Sequence, residues 1–166
     1  MNPQLQAMLQ QAIQAFQGGN FDGAEVLLKR ILQVDSKNLP ALHVLGLVKA
    51  LQFNYKEASD YLTRAARIHP NDASVQYNLA KALSDMGNDK DALVHHKKAV
   101  SLAPYNPAAW LNYGKSASNL SRYEDALDYY DEAIKLKPDY LDAHLKRAAL
   151  LQKCQQYEEA LISFNQ

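Results

Sequence analysis

The sequence predicts an all-α solenoid of antiparallel helix pairs, and three observations carry that expectation. Pro70, Pro104 and Pro138 fall 34 residues apart, and self-similarity at a fixed period of this size marks a repeat architecture. Blocks of 34, laid out without a gap as 5–38, 39–72, 73–106, 107–140 and a partial 141–166, bring tiny residues into two columns. Position 20 is Ala24, Ala58, Ala92, Ala126 and Ala160, and position 8 is Ala12, Gly46, Ala80, Gly114 and Ala148. A tiny residue in each half of the block lets two helix backbones approach closely. Turn and cap residues recur at fixed offsets between those columns, so each block reads as helix, turn, helix, and residues 1–166 as a single array.

The elements follow in order within a block. Asn38, Asp72 and Asn106 stand just before a first helix, where a side-chain oxygen caps free backbone N–H groups. Pro40 and Pro107 fall in the first turn, where the missing N–H costs little. Gly19 and Gly87 at position 15 mark the turn between helices, and Asn20, Asn54 and Asn88 at position 16 support it. The second helix opens with acids that complement its dipole: Asp22, Glu57, Asp91, Glu124 with Asp125, and Glu158 with Glu159. Position 17 is aromatic in Phe21, Tyr55, Tyr123 and Tyr157, with Asp89 the departure. Position 24 holds Leu28, Leu62, His96, Tyr130 and Phe164, and position 27 Ile31, Ala65, Ala99 and Ala133. These side chains fill the space around the helix contact. The proline at position 32 then ends the second helix, because it cannot continue it.

Composition narrows the function. The 166 residues carry 18 Lys+Arg and 18 Asp+Glu, a formal net charge of zero, with 48% hydrophobic and 22% charged residues. These are globular values. Zero net charge argues against a nucleic-acid binder that neutralises phosphates. No stretch reaches the roughly 18 apolar residues of a membrane helix, and residues 1–16 lack the basic start of a secretory signal, so a cytoplasmic location is expected. Cys154 is the one cysteine, which leaves no intrachain disulfide and no cysteine-rich zinc site.

The repeat resembles the tetratricopeptide repeat (TPR) family, whose 34-residue unit runs W-x2-L-G-x2-Y, A-x3-F, then Ala and Pro. The fourth block carries the likeness in Trp110, Gly114, Tyr123, Ala126, Tyr130, Ala133 and Pro138, and the second in Leu45, Gly46, Tyr55, Ala58, Ala65 and Pro70. The first block has Ser36 in place of proline, the third departs at Asp89 and His96, and the fifth has Arg147 for the usual Leu. The resemblance implies a right-handed superhelix whose first helices line a concave groove at positions 2, 5, 6, 9, 12 and 13. Packing leaves those positions free to vary, so function is sought there.

In blocks one and two the groove positions give Leu9, Ile13, Phe16, His43, Val44, Leu47 and Leu51. An exposed apolar floor marks a contact surface. The same residues are equally expected as core beneath the N-terminal helix, and self-association is a third reading. In blocks three to five the positions turn polar, with Tyr77, Asn78, Lys81, Asn112, Lys115, Lys146 and Lys153. Asparagine amides donate and accept together and can clamp an extended backbone, lysines favour acidic partners, and Tyr77 adds a flat contact. A solvated polar face is the plainer alternative. The asparagines are similar to those in the TPR arm of O-linked N-acetylglucosamine transferases, which implies protein-substrate recognition. Asn78 and Asn112 match that pattern, while Gln10, Val44 and Lys146 occupy the other rungs. The carboxylate clamp of TPR co-chaperones is not matched: Tyr77, Lys81, Asn112, Asp142 and Lys146 stand in the nearest register, and Asp142 would repel a carboxylate.

No residue set nominates catalysis. His95 and His96 are adjacent and face different sides of a helix, His96 and His144 fall in packing columns, and Cys154 has no base at a short spacing. There is no phosphate loop. The expectation is a protein-interaction scaffold that is not an enzyme and uses no metal or cofactor, with an extended peptide in its groove. The alternative is the recognition arm of a larger enzyme such as a glycosyltransferase. RNA-reading helical repeats are disfavoured by the period, the position-32 prolines and the zero charge. The fifth block stops inside its second helix beside Leu161, Ile162 and Phe164. The chain is therefore expected to be a piece of a longer protein, or to have its end covered by another copy.

Overall fold

The computed structural model describes residues 2–155. Among them are nine helices packed as successive antiparallel pairs: α1 (Pro3–Gln17), α2 (Phe21–Val34), α3 (Leu39–Leu51), α4 (Tyr55–Ile68), α5 (Ala73–Asp85), α6 (Asp89–Leu102), α7 (Pro107–Asn119), α8 (Tyr123–Leu136) and α9 (Leu141–Lys153). The starts of α3, α5, α7 and α9 are 34 residues apart, as are those of α2, α4, α6 and α8. Leu161, Ile162 and Phe164 lie outside the described residues. No described helix is long and apolar enough to cross a membrane.

Local chemistry explains these bounds. Asn38 Oδ1 accepts from the Ala41 amide at 3.1 Å, Asp72 from Val75 at 3.0 Å and Asn106 from Ala108 at 3.1 Å. Asn20, Asn54 and Asn88 do more than support a turn: each caps the second helix, accepting from Gly23, Glu57 and Asp91. The residue before position 16 is left-handed in every block, at Gly19 (φ 77°), Phe53 (60°), Gly87 (84°), Ser121 (59°) and Gln155 (63°). Glycine takes this conformation freely and a bulky side chain takes it at a cost. A second recurrent device ties first helices to the preceding proline. Gln76 Nε2, Trp110 Nε1 and a ring nitrogen of His144 each donate to the proline carbonyl six residues earlier, at 2.8 Å.

The chain divides into two compact units, residues 1–86 and 87–166. In the first, α1 packs on α2, α3 on α4, and α5 on α4. The first helices also touch one another, α1 to α3 and α3 to α5, whereas α2 and α4 do not meet. Its core joins Leu9, Ala12, Leu28, Ile31, Leu45 and Val48 to a second cluster around Leu42, Leu62, Val75 and Leu79. Lys49 is buried between two acids, 2.7 Å from Glu25 and 3.3 Å from Glu57. In the second unit α6 packs on α7, α7 on α8 and α8 on α9, and α7 touches α9 while α6 and α8 stay apart. The first helices of each unit thus lie side by side on one face. Gly114 lets α7 close on its second-helix partner α8: a Cβ there would come within 2.5 Å of the Tyr130 ring.

Candidate functional site

Among residues 1–86 the apolar positions are mostly inward. Leu9 is buried, and Ile13, Phe16 and Val44 pack against the same core. Leu47 is half-buried, and Leu51 is 52% exposed at the end of α3. Phe53 follows it at 79% exposure, edge-on to Tyr55 with ring centroids 6.3 Å apart. Tyr77 and Asn78 are half-buried on α5. The Asn78 amide nitrogen lies 2.9 Å from Nε2 of His43 on α3, so the neutral imidazole accepts from it. Burial pushes the His43 pKa down, against a smaller opposing pull from Asp72. Lys81 pairs with Asp85 one turn on, at 2.6 Å.

Among residues 87–166 three of the polar positions, Lys115, Lys146 and Lys153, line one cavity. Asn112 is half-buried and returns its amide to the Ala108 carbonyl of its own helix at 2.9 Å. A cavity of about 230 Å³ opens between α7 and α9, with Lys115, Ser118 and Asn119 on one wall, Lys146 and Lys153 on the other, and Tyr130 of α8 beneath. Residues 115, 118 and 119 are one helical face, as are 146 and 153. The lysines are exposed and Tyr130 is buried. Burial raises the Tyr130 phenol to about 12, although a hydrogen bond with Ser118 works in the other direction. Lys153 Nζ stands 4.8 Å from the Tyr123 ring centroid and lowers that phenol's pKa by hydrogen bonding. Asn119 donates to the buried Asp89 carboxylate at 3.0 Å.

Sequence reasoning missed the Asn119–Asp89 bond, although its signal was present: Asp89 breaks an otherwise aromatic column. His96 is more extreme than expected. It is fully buried, neither ring nitrogen has a hydrogen-bond partner among the described residues, and its ring stacks on Tyr113 at 6.0 Å. Tyr113 stacks in turn on Tyr129 at 3.8 Å. A larger hollow of about 580 Å³ lies beside Arg122, Asp125 and Cys154, but its arginine already holds Asp125 at 2.6 Å. No group of three His, Cys, Asp or Glu side chains among the described residues could hold a metal ion.

Comparison with known proteins agrees with this architecture. Tetratricopeptide repeat family models match residues 49–94 and 107–140. No curated protein matches the sequence. Three solved structures share the fold at low identity. MamA from Desulfovibrio magneticus RS-1 is 18% identical, with 99% of this chain and 93% of that one aligned at a TM-score of 0.94. A second MamA structure is 20% identical over 99% and 90% of the two chains, at 0.92. YrrB, a TPR protein with an unusual peptide-binding site, is 23% identical over 93% and 79%, at 0.84. Repeating helix pairs, capped and stopped at one period, together with these matches, identify the chain as an all-helical protein built of tetratricopeptide repeats.

Proposed function

We propose that the chain is a protein-interaction scaffold that holds an extended partner segment against its first helices. The observation that carries this reading is the lysine-rimmed cavity between α7 and α9, on the face where first helices touch. Asn112, half-buried on α7, is assigned to contact the partner backbone through its amide. YrrB, a TPR protein with an unusual peptide-binding site, supports the reading.

The test is an array of random 12-residue peptides probed with three proteins: the native chain, Asn112→Ala, and Asp128→Ala, whose aspartate lies exposed on α8. The scaffold reading expects saturable binding of a peptide subset that Asn112→Ala weakens at least tenfold and Asp128→Ala leaves intact. An unchanged profile in Asn112→Ala, or a loss in Asp128→Ala, would count against it.

A further inference from the structure

The cavity between α7 and α9 has a chemical character narrower than peptide binding in general. Lys115, Lys146 and Lys153 line one cavity of about 230 Å³, no acidic side chain lines it among the described residues, and the Lys153 ammonium rests at its edge on the Tyr123 ring. The chain as a whole is neutral, so this is a local concentration of one sign. Neighbouring bases are spoken for: Arg147, on the same helix as Lys146, pairs with Asp131 at 2.5 Å, and Arg122 with Asp125. Lys115 and Lys146 make no ion pair among the described residues. The nearby Asp89 carboxylate is engaged by the Asn119 amide.

Size and walls restrict the ligand further. The volume falls below the roughly 300–1,000 Å³ of pockets for drug-sized molecules and suits one side chain. Tyr130 and Leu150 give it a buried floor against which the aliphatic carbons of a side chain can pack.

From this geometry we infer that the cavity is an anion subsite that takes the side-chain carboxylate of an aspartate or glutamate in the bound segment. The carboxylate sits among the Lys115, Lys146 and Lys153 ammonium groups, with the acid's methylenes against Tyr130 and Leu150. The inference rests on the scaffold reading and makes it selective: partners are acidic segments.

The probes are fluorescein-labelled 12-residue peptides blocked at both ends, one alternating Ala and Glu and one alternating Ala and Gln, with a third Ala/Gln peptide carrying a free C-terminal carboxylate. They are titrated by anisotropy against the native chain, Lys115→Gln/Lys146→Gln/Lys153→Gln, and a control of equal charge change, Lys90→Gln/Lys97→Gln/Lys135→Gln, whose lysines are exposed on α6 and α8. Circular dichroism establishes that the variants fold. The inference expects the Ala/Glu peptide to bind the native chain at least tenfold more tightly than the blocked Ala/Gln peptide. That preference should vanish in the cavity variant and persist in the control. Equal affinity for the Glu and Gln peptides overturns it, as does an equal loss in both variants. A free-terminus Ala/Gln peptide that matches the Ala/Glu peptide overturns the side-chain assignment in favour of a terminal carboxylate. Array peptides that bind without acidic preference defeat the subsite and leave the scaffold standing. An array on which nothing binds saturably defeats the scaffold instead.

Discussion

Replacing His96 with leucine should stabilise the protein, and more so in acid. Both imidazole nitrogens are buried without a hydrogen-bond partner among the described residues, an arrangement that costs about 1–3 kcal/mol. The corresponding positions in two other repeats already hold fully buried leucines, Leu28 and Leu62, so the shape fits the fold. Loss of the stack on Tyr113 offsets about 0.5–1 kcal/mol, leaving a net gain near 1–2 kcal/mol at pH 7. The pH dependence has a definite sign. Burial lowers the His96 pKa from 6.5 to about 4; Asp89 opposes this, and His95 and Lys115 add to it. Between those values the unfolded chain binds a proton that the folded chain refuses, so native stability falls as pH drops from 6.5 towards 4. The loss reaches at most about 3 kcal/mol. The leucine variant lacks this loss. Urea denaturation followed by circular dichroism at pH 7 and pH 5 should therefore show the variant ahead at pH 7, with the gap widening by about 2 kcal/mol at pH 5. A variant less stable at pH 7, or a gap that does not change with pH, would refute the reasoning.

Three further outcomes follow from packing. Phe53→Gly should raise the melting temperature by a few degrees, because glycine relieves about 1 kcal/mol of left-handed strain at a residue 79% exposed with φ 60°; a lower melting temperature would show that the Tyr55 contact matters more. Gly114→Ala should destabilise by about 1–3 kcal/mol in urea titration, since the added methyl meets the Tyr130 ring at 2.5 Å. Tyr130→Leu in that background should recover part of the loss, as Ala12 and Leu28 share one core cluster elsewhere. Lys49→Met should cost about 2 kcal/mol by leaving Glu25 and Glu57 without their shared buried cation, while Lys29 still holds Glu25 at 2.7 Å; an unchanged denaturation midpoint would contradict that.

The helices were legible because their causes are local. A capping Asn38 or Asp72, a turn glycine such as Gly87 and a stop such as Pro104 act within a few residues, and the period multiplies each signal. The same period hid what lies between repeats. Asn78 read as a rung of a polar ladder, yet its amide meets His43 from the preceding repeat. Lys49, which no repeat column singles out, joins two acids from α2 and α4. Leu9 and Val44 fitted groove and core equally by position, and only the packing of α1, α2 and α3 puts Leu9 inside. The lysine cavity needed the proximity of α7 to α9 as well as its three residue types. Side-chain partners across repeats depend on that proximity, which a column of similar residues does not encode.

Backbone amide hydrogen exchange of the native chain, with and without a saturating peptide from the array, tests the binding face most directly. The account predicts slowed exchange in α7 and α9, around residues 112–119 and 146–153, with α6 and α8 unchanged. Protection confined to α6 and α8 would place the partner on the opposite helices and contradict it.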